Sequence, residues 1–212
     1  MNELDILARK YDTDKRTNDI GKNIYHGYTD IYNKYLFNYK NQYENILEIG
    51  VKNGASHKMW YDYFPNAMIY GIDNFSDPYC NVTKEDIEND RIKILVSDQT
   101  DENEINKFFK DIELDMIIDD GSHCSWHQQK SFKFLFPRLK SRGYYFIEDL
   151  AVCYERRFRE FDDERSSTLR WLELMQTGNP FSHYINEEEM DTMLDNISTI
   201  EIIGELGIIK KI

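Results

Sequence analysis

Five short runs rich in Ile, Val, Tyr and Phe constrain this chain more than any other feature: NILEIG (45–50), AMIYGID (67–73), RIKILVSD (91–98), LDMIIDDG (114–121) and YYFIEDL (144–150). Helix-like segments separate them, and that alternation builds a parallel sheet from βαβ units. Each run is almost continuously apolar, as strands covered by helices on both faces require. The crossover helices are read as SHKMWYDYF, NEINKFFKDI and the segment 126–139, where Phe132, Leu135, Phe136 and Leu139 recur at i, i+3, i+4, i+7. Beyond the fifth strand come a charged helix over 164–176, an acidic stretch over 187–195, and STIEIIGELGIIKKI, which reads as a β-hairpin turning near Glu205 and Leu206. The first forty residues, with Tyr11, Tyr25, Tyr28, Tyr32, Tyr35 and Tyr39, read as a helical lid across one edge. The fold expected is an α/β sandwich of five parallel strands closed by an antiparallel hairpin.

Charge narrows the partners. Lys and Arg number 26 against 39 Asp and Glu, a formal net charge of −13, which disfavours nucleic-acid backbones and anionic membranes. With 41% hydrophobic residues, 212 residues can bury a substantial core. No apolar run approaches the roughly 18 to 20 residues of a membrane span, and the N-terminus lacks an apolar signal core, so a soluble, unprocessed chain is expected. Cys80, Cys124 and Cys153 are an odd number without CxxC spacing and read as reduced thiols of a cytoplasmic protein. No linker or internal repeat divides the chain, so residues 1–212 are taken as a single domain: a lid segment (1–43), a ligand-binding core (44–154), and helices with the hairpin (155–212).

Ligands of open parallel sheets bind outside the carboxyl ends of the strands. Here every strand delivers acid to that edge: Glu48, Asp73, Asp98, the pair Asp119 and Asp120, and the pair Glu148 and Asp149. The first turn, EIGVKNGAS, sets Gly50 and Gly54 where a ligand can approach the backbone, without the GxGxxG pattern of a pyrophosphate site. Asp73 follows Gly50 by 23 residues, near the spacing at which an acid takes ribose hydroxyls. An adenosine ligand without pyrophosphate suits this pairing, and a tight strand-to-helix turn explains it equally well.

The loop DDGSH and the strand end IEDL are sharper. Adjacent strands lie about 4.8 Å apart, so Asp120, Glu148 and Asp149 can converge, and carboxylates at that range need raised pKa values or a cation. An all-oxygen set favours Mg²⁺, Ca²⁺ or Mn²⁺ over zinc. Helix capping by Asp119 and Asp120 and a solvated strand end at Glu148 and Asp149 are the plain alternatives. His123 and His127 flank Cys124 at i, i+4, a weak zinc pattern.

At these residues the sequence resembles the class I S-adenosylmethionine-dependent methyltransferases, and within them the metal-dependent sugar O-methyltransferases of the macrolide and rhamnosyl type, which share a domain with the cephalosporin hydroxylase-like family. The resemblance runs through KYDTDK (10–15), YHGYTDIY (25–32), ILEIGVKNGAS (46–56), MWYDYFPNAMIYGID (59–73), SDQT (97–100), MIIDDGSHCSWHQQKSF (116–132) and GYYFIEDL (143–150), and fades after Tyr154. Ala55 stands where relatives often carry a second glycine. The resemblance implies a Rossmann-like fold with a mainly parallel seven-stranded sheet whose last strand is antiparallel. It implies cofactor contacts from Lys15, Glu48, Gly50, Gly54, Ser56, Asp73, Asp98, Gln99 and Asp119, Mg²⁺ on Asp120, Glu148 and Asp149, and His123 as general base beside Asp120. Thr13 and Asp14 belong with Lys15 to a block lining the active site.

The function expected is transfer of a methyl group from S-adenosylmethionine to a sugar hydroxyl, in polysaccharide or glycosylated natural-product biosynthesis. The acceptor expected is a small sugar or sugar nucleotide, and a homo-oligomer is expected from tyrosines outside the sheet. Rival readings are a metal-independent methyltransferase acting on another hydroxyl or oxyacid, and a non-catalytic adenosine-binding module. A nicotinamide oxidoreductase would need a pyrophosphate loop that EIGVKNGAS does not supply.

Overall fold

The computed structural model describes residues 1–18, 25–78, 80–154 and 167–212. Seven strands form one sheet: β1 (Asn45–Ile49), β2 (Met68–Asp73), β3 (Ile92–Val96), β4 (Leu114–Asp119), β5 (Leu139–Ile147), β6 (Ile197–Ile203) and β7 (Leu206–Lys211). Their order is β3-β2-β1-β4-β5-β7-β6, with β1 to β5 parallel and β7 antiparallel to both neighbours. The sheet is therefore the one expected from the sequence, with the hairpin turning between Ile203 and Leu206.

Eight α-helices are described: α1 (Glu3–Tyr11), α2 (Tyr28–Leu36), α3 (Ala55–Tyr63), α4 (Lys84–Ile87), α5 (Glu102–Phe108), α6 (Ser125–Leu135), α7 (Thr168–Gln176) and α8 (Glu187–Leu194). Successive side chains of a strand face opposite sides, and two cores result. Ile46, Ile69, Met116, Ile118 and Phe146 face Leu4, Tyr32, Trp60 and Tyr63 of α1 to α3. Leu47, Ile72, Ile117, Tyr145 and Ile147 face Ile105, Phe132, Trp171 and Met190 of α5 to α8.

Three sequence expectations shift. Leu139 opens β5 instead of ending a helix, because Pro137 in a short 3-10 turn stops α6 beforehand. The helix expected from residue 164 begins at Thr168, where Ser167 accepts the Arg170 N–H as a cap; residues 164–166 lie outside the described set. Of the N-terminal tyrosines, Tyr28 and Tyr32 are buried in the core and Tyr11, Tyr35 and Tyr39 pack half-buried against it, so packing within the chain accounts for much of this tyrosine content. Among the described residues no helix is long and apolar enough to cross a membrane.

Strand order reverses between β1 and β4, where the crossovers leave on opposite faces and open a crevice at the carboxyl edge. Register makes that edge level. Ile49 pairs with Asp119 and Asp119 with Ile147, so Gly50, Asp120 and Glu148 form the next row along adjacent strands.

Candidate functional site

A cavity of about 580 Å³ lies over this edge, within the size range of small-ligand sites. Its two walls are built differently.

The β1–β2 wall is mostly main chain. Gly50 has φ +89°, and a Cβ there would meet the Asp120 carbonyl oxygen at 2.1 Å, so the turn admits glycine alone. Asp73 closes the turn: its Oδ2 accepts the N–H of Val51 at 2.7 Å and of Lys52 at 2.8 Å, and its Oδ1 accepts that of Phe75 at 2.6 Å. Asp98 accepts the Thr100 N–H and hydroxyl, and these bonds outweigh burial and hold its carboxyl below the usual range. Gln99 donates to the Ser131 hydroxyl at 2.9 Å and accepts the Ser122 N–H at 2.9 Å.

The β4–β5 wall is a charge cluster. Lys15, 1% exposed, places its Nζ 2.5 Å from Asp120 Oδ2, 2.8 Å from Glu148 Oε2 and 3.3 Å from Glu48 Oε1. Tyr32 donates to the other oxygen of Glu148 at 2.5 Å, and Trp60 Nε1 donates to Glu48 Oε2 at 2.8 Å. Burial alone would pull the Lys15 ammonium down, yet Asp120, Glu148 and Glu48 outweigh it and hold it well above the ordinary lysine range. Burial pushes Glu48 up to about 7, and burial with the Asp120 charge pushes Glu148 well above the carboxylate range. One ammonium against three carboxylates leaves negative charge that protons or a further cation must cover.

Asp149 faces outward from the same corner. Tyr28 donates to its Oδ1 at 2.7 Å, His26 Nδ1 lies 3.3 Å from that oxygen, and His123 Nε2 lies 3.7 Å from Oδ2. Ligand atoms of Asp120, His123 and Asp149 all lie within 4.8 Å of one another. His123 and Asp149 both hold left-handed backbone, at φ 59° and 57°, as do Asp12 and Lys52 elsewhere on the cavity wall. Such residues are uncommon away from glycine and gather at functional sites.

Of the expected cofactor residues, Lys15, Gly50, Ser56, Asp73, Asp98 and Gln99 line the cavity, as do Asp120, His123 and Asp149. Glu48, Gly54, Asp119 and Glu148 do not. Glu48, Asp119 and Glu148 are buried behind the wall, and Gly54 packs against Ile87. Asp119, last in β4, turns to the face opposite its neighbour Asp120, where burial raises it to about 7 and Gln99 lies within 3.4 Å. Lys15, expected at the cofactor, has its ammonium in the acid cluster. His127 stays outside that cluster, its Nδ1 2.5 Å from the Ser122 hydroxyl.

Sequence reasoning missed Tyr28, Tyr32, His26 and His57. Buried His57 lies 3.6 Å from Glu48, and burial with the Lys15 charge lowers it to about 4, so it stands neutral beneath the cluster. The motif YHGYTDIY carried the first three, but helical spacing there signals packing before chemistry.

No family model matches the chain. It is 31% identical over 172 residues to an 8-demethyl-8-(2-methoxy-alpha-L-rhamnosyl)-tetracenomycin-C 3'-O-methyltransferase of Streptomyces olivaceus, covering 73% of this chain and 42% of the relative. It is 32% identical over 160 residues to the mycinamicin VI 2''-O-methyltransferase of Micromonospora griseorubida, covering 72% and 37%. The chain thus spans about two fifths of the curated relatives it matches. Among solved structures, the MycE methyltransferase of the mycinamycin pathway, in complex with Mg, SAH and mycinamycin VI, superposes with a TM-score of 0.79 at 26% identity, over 99% of this chain and 54% of that one. With its seven-stranded sheet, this chain is a relative of the sugar O-methyltransferases of macrolide and tetracenomycin pathways and has the class I S-adenosylmethionine-dependent methyltransferase fold.

Proposed function

We propose that the protein transfers a methyl group from S-adenosylmethionine to a sugar hydroxyl with the help of Mg²⁺. The observation that carries this reading is the meeting, in one cavity, of a main-chain turn closed by Asp73 with ligand atoms of Asp120, His123 and Asp149 gathered within 4.8 Å. The relatives' names and the Mg and SAH of the MycE complex support it.

The donor set suits a hard divalent ion. Asp120 and Asp149 offer oxygen at the cavity surface, with Glu148 directly behind, and the negative charge around Lys15 exceeds what its ammonium covers. Asp120 and Asp149 would hold the ion from the cavity side, Glu148 joining them by exchanging Lys15 or Tyr32 for it, and the ion when bound would lower the pKa of a coordinated hydroxyl and fix its aim. His123 then accepts the hydroxyl proton at Nε2, and Asp149, 3.7 Å away, stabilises the imidazolium that results. The oxygen forms its bond to the methyl carbon as the sulfonium–carbon bond breaks, leaving a neutral thioether. Gly50, Ser56, Asp73, Asp98 and Gln99, which line the cavity, would hold the cofactor there.

The acceptor belongs to glycosylated natural products or polysaccharides, free or nucleotide-linked. A cytoplasmic site of action fits the free thiol of Cys80. Incubation with S-adenosylmethionine, Mg²⁺ and a panel of glycosides and nucleotide sugars, read by mass, should show the gain of one methylene on an acceptor, abolished by EDTA and restored by Mg²⁺. Turnover untouched by EDTA would establish the metal-independent rival. Cofactor binding without turnover of any sugar would favour the non-catalytic reading.

A further inference from the structure

The acid wall contains a cation of its own. The backbone that delivers Lys15 is pinned on both sides: Asp12 ends α1 in left-handed conformation, Thr13 N–H donates to the Ala8 carbonyl, and the Lys15 carbonyl accepts the Thr29 N–H at the start of α2. Buried Asp5 reinforces the loop by accepting from Arg9, Thr17 and Thr29. The side chain is 1% exposed and ends among carboxylates contributed by β1 and the loops after β4 and β5. Nothing about a surface lysine requires such anchoring.

We propose that Lys15 is the fixed counter-charge of the acid wall, a positioning residue that holds Glu148 and Asp120 together and restrains the affinity of the site for a divalent ion. The first half stands on the geometry alone, and the second rests on the metal reading above. An ammonium touching Asp120 repels any further cation that Asp120 binds. It also relieves the repulsion that Glu48, Asp120 and Glu148 would otherwise exert on one another. The site therefore gives up part of its attraction for the ion in exchange for carboxylates already in place.

The test compares wild type with Lys15→Met, Lys15→Arg, Glu148→Gln and the double variant Lys15→Met/Glu148→Gln. Melting is followed in EDTA, and binding of Mg²⁺ alone and of S-adenosylmethionine by calorimetry. In EDTA, Lys15→Met should melt about 10 °C below wild type, as loss of one partner from a buried charge group implies, and Lys15→Arg should recover part of it. Glu148→Gln should lower melting clearly in the wild-type background and little or not at all in the Lys15→Met background, because the acid is the ammonium's partner in one and holds its own proton in the other. Mg²⁺ should bind Lys15→Met about tenfold more tightly than wild type or better. An equal loss of melting temperature from Glu148→Gln in both backgrounds overturns the proposal, as does equal or weaker Mg²⁺ binding by Lys15→Met where wild type binds the ion. Weakened S-adenosylmethionine binding with unchanged melting would make Lys15 a cofactor contact instead. If no form binds Mg²⁺, the metal reading fails, while the difference between the two backgrounds in EDTA still decides whether Lys15 balances the acids. Should Lys15→Met not fold, the double variant, which loses one charge of each sign, should fold and carry the comparison.

Discussion

The two walls of the cavity use opposite materials. Toward β1 and β2, the site is a turn in which Asp73 satisfies three backbone N–H groups and Gly50 leaves no room for a side chain. Toward β4 and β5, side chains from positions 15, 28, 32, 48, 120, 148 and 149 crowd into a network of like charges held by one ammonium and two phenols. A turn of this kind binds by shape and dipoles, and tolerates little substitution. A charge network binds and reacts through its balance, so single substitutions should redistribute its function without dismantling the fold. On the proposed function, the rigid wall would hold the cofactor and the charged wall would activate the acceptor.

The sharpest break of that division is His123→Ala. Turnover should fall by about 10² to 10⁴, the usual value of a positioned base, and rise again with pH as hydroxide substitutes, while calorimetry finds cofactor affinity unchanged. Release of Mg²⁺ by this variant would make His123 a ligand, which its position within 4.8 Å of Asp120 and Asp149 makes a real contrast. Gly50→Ala should act on the other wall. A Cβ 2.1 Å from the Asp120 carbonyl and a positive φ together should cost roughly 3 kcal/mol of stability, read by denaturant unfolding, and this substitution should disturb both walls because Asp120 must move.

Asp73→Ala should weaken S-adenosylmethionine binding by roughly 1.5 to 3 kcal/mol, the value of a lost charge-assisted hydrogen bond, with Mg²⁺ binding unchanged in the same calorimeter. A loss in both would mean that the walls are coupled. The mildest test lies behind the acid wall. Burial opposes ionisation of Asp5, but bonds from Thr17, Arg9 and Thr29 win and lower its pKa. A depressed acid stabilises the fold above its unfolded pKa, and that contribution disappears as pH falls through the folded value. Asp5→Asn should therefore cost about 1 to 2 kcal/mol at neutral pH, and the gap to wild type should close below about pH 4.

Much of the rigid wall was legible in the sequence because its parts are local. EIGVKNGAS and Asp73 are joined by a single βα crossover, and strand periodicity alone sets them at one edge. The carboxylates Asp120, Glu148 and Asp149 were legible as a row, since parallel strands end together. Which of them faces the cavity was not: Asp119 and Asp120 are neighbours in sequence, yet one is buried beside Gln99 and the other lies on Lys15. Glu148 and Asp149 divide likewise, one enclosed by Lys15 and Tyr32, the other open toward His123.

The sequence by itself determined the sheet, its two cores and the acid-bearing edge, because hydrophobic periodicity and strand ends are properties of short segments read one at a time. Only the tertiary structure decided the charge balance of that edge. Lys15 precedes Glu148 by 133 residues, and nothing local distinguishes it from a lysine in solvent; it becomes the centre of the site when the turn that follows α1 brings it to the ends of β1, β4 and β5. A buried charge takes its meaning from all its neighbours at once, and those neighbours come from three separate parts of the chain.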